Sequence, residues 1–196
     1  MAQHKSSSLW LLFAVAAPLG ALTVACATGS SGRAGTGAGS RDGAPDPPGS
    51  AGALDDAAIE ADSASYAAFA RMNVRAYPTR QHLGNSNVNV FANALAAPIY
   101  RTLDFGVPPD GRIAFPPGAM VVKEMLDASG TATVLTVMYK KAPGYDPAHG
   151  DWWYGRLDLH GTPTDPAYAG RVDFCVGCHT GAAASDFAWG VTATNK

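Results

Sequence analysis

The pentapeptide Cys175-Val176-Gly177-Cys178-His179 puts two thiols three positions apart and an imidazole directly after the second. This is the attachment signature of a c-type haem. The thiols add across the two vinyl groups of the porphyrin, and the following histidine lies beneath the iron as its proximal ligand. Two other chemistries compete. A structural zinc site takes four Cys or His ligands, usually from two such pairs, and the only other cysteine is Cys26, far away near the N-terminus. A redox dithiol would accompany a βαβ pattern, which the neighbouring sequence lacks, and it leaves His179 without a role. The expectation is one haem c, covalently bound through Cys175 and Cys178, with His179 on the metal.

Only 17 residues follow His179, and they include no Met or His. A group above the iron must therefore come from upstream. What lies upstream reads as strands. Hydrophobic alternation with period two runs through 86–92, 119–126, 131–140 and 152–159, the mark of half-buried antiparallel strands. One face of 119–126 carries Met120, Val122, Glu124 and Leu126, and the other Ala119, Val121, Lys123 and Met125. In 152–159, Trp153, Leu157 and Leu159 face away from Tyr154, Arg156 and Asp158. Turn sequences separate the runs: VPPDG, FPPG, DASG and APGYDPAHG. Residues 55–72 read as one helix opened by the Asp55-Asp56 pair, and 93–101 as a helical turn limited by Pro98. The fold class is α+β: a mostly antiparallel sheet of four to five strands, an N-terminal helix and a short C-terminal haem-binding helix or loop.

The N-terminal part reads differently. Residues 9–27 are uncharged and rich in Leu, Ala and Val, and His4 and Lys5 precede them. Residues 1–26 have the form of an export signal; an uncleaved membrane helix is the alternative. Cys26, after Leu22-Thr23-Val24-Ala25, reads as a lipoprotein acceptor, with cleavage after the A-x-A of Ala25-Cys26-Ala27 as the competing outcome. Residues 27–53 hold eight Gly, three Pro and no aromatic residue. Such a stretch cannot bury enough apolar surface to order itself, which suits a tether between a membrane and the domain at 54–196. The expected location is the periplasm, lipid-anchored at Cys26. A formal net charge of −2 without a basic run argues against nucleic acid.

The ordered set HLGNSNVNVFAN (82–93), FPPGAMVVKE (115–124), GYDPAHGDWWYGRL (144–157) and CVGCHTGAAASDFAWG (175–190) resembles the cytochrome P-460 and cytochrome c′-beta family over about 65–190. The resemblance implies a mostly antiparallel fold, often homodimeric, and a five-coordinate haem iron open to small ligands on its distal side. In the P-460 branch a lysine is bonded to the porphyrin and hydroxylamine is oxidised. In the c′-beta branch there is no such bond, phenylalanines cap the distal face, and nitric oxide and related gases bind. Lys123 stands at the place of the cross-linking lysine, and Phe115 matches a distal capping aromatic; a surface lysine and plain core packing are the alternatives. The proton-accepting carboxylate of the P-460 branch aligns with Thr136, which leaves oxidation of a substrate without its usual base.

The functional expectation is an exported monohaem protein that binds a small nitrogen species, hydroxylamine or nitric oxide, with or without redox conversion. The redox partner protein is not readable from the sequence. The alternative is an electron-transfer cytochrome with six-coordinate iron, its sixth ligand Met120, Met125 or Met138. Arg71, Arg75 and Arg80 are candidate partners for haem carboxylates by charge. His82, at the start of the first strand, could reach such a carboxylate but reads better as a solvated loop residue. His149 and His160 read as exposed, and Trp152 and Trp153 as core and rim.

Overall fold

The computed structural model describes residues 54–79, His82 and 86–196. The expected signal, Cys26, the linker at 27–53 and Arg80 lie outside the described residues. Among the described residues no helix is long and apolar enough to cross a membrane.

Helix α1 (Asp56–Ser63) starts where the sequence says it should: the Asp55 carboxylate accepts the Ala58 N–H at 2.8 Å. It does not continue to residue 72. The Ser63 hydroxyl turns back to donate to the Ile59 carbonyl at 2.7 Å, and serines of this kind compete with the helix for its own backbone. A single 3₁₀ turn, Tyr66–Ala68, follows. The chain then extends as β1 (Ala70–Arg71) and β2 (Tyr77–Pro78), both antiparallel to β3 (Asn87–Ala92). Pro98 begins helix α2 (Ala97–Tyr100) rather than limiting it, since proline fits the first helical turn, where no N–H is needed.

The remaining strands are β4 (Met120–Leu126), β5 (Ala132–Lys140), β6 (Trp152–Leu157) and β7 (Ala169–Gly170). Together the strands form one antiparallel seven-stranded sheet in the order β1-β3-β4-β5-β6-β7, with β2 beside β1 on the same edge of β3. The protein is α+β with a mostly antiparallel sheet. The four alternating runs of the sequence are its four long strands. The three extra strands have two residues each, too few to alternate.

The sheet buries both faces. Ile59 and Tyr66 pack with Met120, Val122, Leu135, Val137, Tyr139, Trp153 and Leu157 on one. The other face meets α2 and the C-terminal segment through Val90, Tyr100, Phe115, Val121, Trp152, Tyr154, Val172 and Val176. Trp152 and Trp153, adjacent in β6, are both fully buried, one in each layer; neither is at a rim.

Two turns share the pattern Asp-x-x-Gly-Thr, at 127–131 and 158–162. Asp127 accepts the N–H groups of Ser129 and Thr131, and Asp158 those of His160 and Thr162. Gly130 and Gly161 supply the left-handed backbone at φ 84° and 86°. These bonds, led by the Ser129 hydroxyl for Asp127 and the Thr162 N–H for Asp158, hold both carboxyls below the usual aspartate range. Stability gained this way is complete above the unfolded aspartate pKa and is lost as pH falls through the folded value. The urea midpoint should therefore drop less between pH 6 and pH 3 in an Asp127→Ala, Asp158→Ala chain than in the native one.

Candidate functional site

Helix α3 (Asp173–His179) carries the pentapeptide. At 3.6 residues per turn, positions 175, 178 and 179 fall on one face. Val176, between Cys175 and Cys178 in sequence, packs into the core. The two cysteines are free thiols, each half-buried. Burial, and then Cys178, pushes the Cys175 thiol up to about 11. Redox-active dithiols have lowered thiol pKa values, and Cys175 is shifted in the opposite direction.

His179 is buried. Its Nδ1 lies 2.7 Å from the Phe187 carbonyl oxygen, which accepts the Nδ1 proton and leaves Nε2 with its lone pair. Burial first, and then the charge of Lys123, brings this imidazole down to about 4. It is neutral at physiological pH, the state a metal ligand requires.

The Phe187 carbonyl is held by an unusual turn. Asp186 and Phe187 both adopt left-handed backbone, with φ 51° and 63°. Consecutive non-glycine residues in this region are strained and persist only where their surroundings over-determine them. Here the Asp186 carboxylate binds Lys140 Nζ at 2.6 and 2.8 Å and accepts the Phe115 N–H at 2.7 Å. Its main-chain carbonyl accepts Trp152 Nε1–H at 2.7 Å. Gly150 makes room: a Cβ there would come within 2.8 Å of both Asp186 and Phe187.

Beside α3 lies a cavity of about 520 Å³, within the 300–1,000 Å³ typical of ligand and cofactor sites. Cys175, His179 and Phe174 form the helical side of its lining. Two cross-strand rows form the other. Val121, Met138 and Tyr154 make one, and Lys123, Thr136 and Arg156 the next. The rows are two residues apart along the strands, about 7 Å. The Tyr154 ring lies 5.2 Å from that of His179. Among the described residues the lining includes no Asp or Glu.

Lys123 thus points into the cavity as strand alternation requires. Burial brings its ammonium down to about 8, and among the described residues no carboxylate forms an ion pair with it. Thr136 lines the cavity across from it, in the place the alignment gives to a carboxylate. Phe115 is not brought there. It is buried edge-on against Trp152 at 5.4 Å and belongs to the core. Of the three methionines, Met138 alone lines the cavity.

Several sequence readings need correction. His82 does not begin a strand and is not a solvated loop residue. It precedes β3, lines the cavity and sits 6.3 Å from the His179 ring, where burial, then Lys123, then His179 lower its pKa to about 3. Arg71 and Arg75 are exposed and away from the cavity, with Arg71 bonded to Asn89 at 2.6 Å. The cavity's arginine is Arg156, stacked on Tyr168 at 5.5 Å with its Nε buried and unpartnered. Its signal was in the sequence, on the same strand face as Tyr154, but charge alone did not rank it above the others. His160 is exposed, while His149 is half-buried against Asp146 at 3.0 Å. Among the described residues no group of three or more His, Cys, Asp or Glu is placed to hold a bare metal ion.

Neither protein-family models nor curated proteins match this chain.

Proposed function

We propose that the domain is a c-type haem protein of the cytochrome P-460 and c′-beta type, exported and tethered through Cys26, which binds a small nitrogen species on an open distal side. The observation that carries this reading is Cys175 and a neutral, carbonyl-oriented His179 lining a largely apolar cavity, with Cys178 beside them on the same helix. The residues present fit the group. Val121, Val137, Met138, Tyr154 and Phe174 supply apolar wall. The buried Tyr154 hydroxyl and Arg156 Nε lack protein partners, and buried polar atoms of this kind call for a bound group. Cys175 and Cys178 would hold the haem, and its iron would supply the ligand-binding and electron-transfer chemistry. The chain's part is to fix the His179 ring through Phe187, exclude water with the apolar wall, and present Lys123 and Thr136 to whatever enters.

The test is an optical spectrum of the reduced protein, matured in a host able to attach haem, with and without carbon monoxide. Five-coordinate iron shifts its Soret band when the gas is added. The second reading, electron transfer by six-coordinate iron, is favoured by the approach of His82 to His179 and by Met138 on the cavity wall. It predicts a spectrum that barely responds. Enzymatic oxidation of hydroxylamine has less support, because the lining offers no carboxylate base.

Lys123 adds a separate expectation. A desolvated lysine with a lowered pKa exposes its lone pair near pH 8 and is a plausible nucleophile toward an oxidised porphyrin edge. Peptide mapping should return a haem peptide joining 175–179 to a fragment that contains Lys123, with absorption well to the red of an ordinary haem c. Haem found only on the 175–179 peptide, with a Lys123→Ala spectrum unchanged, would assign the protein to the gas-binding branch.

A further inference from the structure

The row Lys123, Thr136, Arg156 has a charge pattern that the haem reading alone does not use. Register places Lys123 opposite Thr136 in the β4–β5 pair, and Thr136 opposite Arg156 in the β5–β6 pair. Side chains directly opposite each other have Cβ atoms about 5 Å apart. The three therefore form one continuous strip, a hydroxyl between two cations, and all three line the cavity.

Nothing in the lining balances that charge. Among the described residues it contains no Asp or Glu. Among the described residues neither cation has a salt-bridge partner, and Arg156 Nε is buried with no acceptor. Desolvated charge is costly unless paired, so two cations facing an apolar cavity form an incomplete site. We infer that this strip is an anion subsite and that the protein's distal ligand is a small planar or linear monoanion, of which nitrite is the nitrogen-containing representative.

The geometry fits that class. A guanidinium presents fixed donors suited to two oxygens of one anion, and that of Arg156 lies over the Tyr168 ring, 5.5 Å from its centroid. The Thr136 hydroxyl can donate to the same anion. The strip lies one pleat, about 7 Å, from the row on which the His179 ring rests, in the same cavity that His179 lines. Where the resemblance expects a base that takes protons from a neutral substrate, this chain has a donor between two positive charges. That change exchanges removal of a proton for retention of a negative charge.

This inference rests on the haem reading and deepens it. The cofactor's own carboxylates have the same chemistry as the proposed ligand, so the experiment must separate the two sources. The ferric protein is titrated with nitrite and with azide while the Soret band is followed, and the ferrous protein with carbon monoxide as a neutral control. Arg156→Gln should weaken both anions by at least about tenfold, the effect of losing one charged hydrogen bond, with a far smaller change for carbon monoxide. Arg156→Lys, which keeps the charge, should recover part of the loss. Thr136→Asp, which restores a carboxylate, should weaken the anions as well, and it provides the test if Arg156→Gln does not fold. If both variants bind nitrite and azide as tightly as the native protein, the strip is not an anion subsite. If Arg156→Gln moves the reduction potential while anion affinity stays unchanged, Arg156 pairs with a haem carboxylate and the inference is overturned. Absence of covalent haem on a denaturing gel overturns the haem reading as well, whereas haem present with unaltered anion affinity overturns this inference alone.

Discussion

A chain carrying Cys175→Ala and Cys178→Ala is expected to retain no haem through denaturing gel electrophoresis, and its intact mass should equal that of the polypeptide alone. The size of the effect follows from the geometry of α3. The cysteines are three positions apart and the imidazole follows the second directly, so the helix turns all three toward one side. Among the described residues, Cys175 and Cys178 are the only cysteines, and Cys175 lines the cavity. A single replacement leaves one thioether available, so Cys175→Ala and Cys178→Ala alone should each keep a fraction of the haem. His179→Ala separates attachment from ligation: both thiols remain, and the native iron spectrum should vanish while haem stays on the gel. Haem surviving denaturation in the double variant would mean that this pentapeptide does not hold it.

The parts of the fold legible in the sequence were those where local pattern and tertiary need coincide. Lys123 is the clearest case. Alternation around Val121 and Met125 assigned its face, and the cavity lies on that face. The same logic put Tyr154 and Arg156 together, opposite Trp153 and Leu157. Alternation did not say which arginine mattered, because charge has no direction until a strand is paired. Register with Thr136 selects Arg156, and register is a non-local quantity. His82 was misread for a related reason. It follows a polar stretch that resembles an exposed loop, and its ring lies beside His179 of α3, which comes from the far end of the chain. Phe115 was ambiguous from the start, since an aromatic beside a turn can cap a ligand or fill a core, and Trp152 decided it by packing on its edge. The N-terminal helix ends at Ser63, whose hydroxyl bonds back to the helix's own backbone, and the sheet edge claims Ala70 and Arg71.

Asp186→Ala is expected to destabilise the folded domain by about 3–5 kcal/mol, the cost of leaving one partner of a buried ion pair alone. Total stability of an ordinary domain is only about 5–15 kcal/mol, so the loss would be severe. The residue concentrates three tasks. Its carboxylate neutralises Lys140, both side chains being about nine-tenths buried. The same carboxylate caps the Phe115 N–H, and the main-chain carbonyl receives Trp152. These bonds hold the two left-handed residues whose second carbonyl orients His179. Asp186→Asn keeps an acceptor for Phe115 and a residue type that tolerates this backbone, but it leaves the Lys140 charge unmatched, so it should cost less than alanine and still be clearly measurable. A Lys140→Met, Asp186→Ala chain removes both charges and should recover part of the alanine loss, because no ion is then stranded. Urea denaturation of the native, Lys140→Met, Asp186→Ala and doubly substituted chains gives the cycle. In the haem-bearing protein, Asp186→Asn should also broaden or shift the Soret band, since the Phe187 carbonyl would hold His179 less firmly; a mutation acting on stability alone would leave the band of the folded fraction in place. An Asp186→Ala chain within about 1 kcal/mol of the native one would mean that the pair with Lys140 is solvated and that the turn at 186–187 is held by its other contacts.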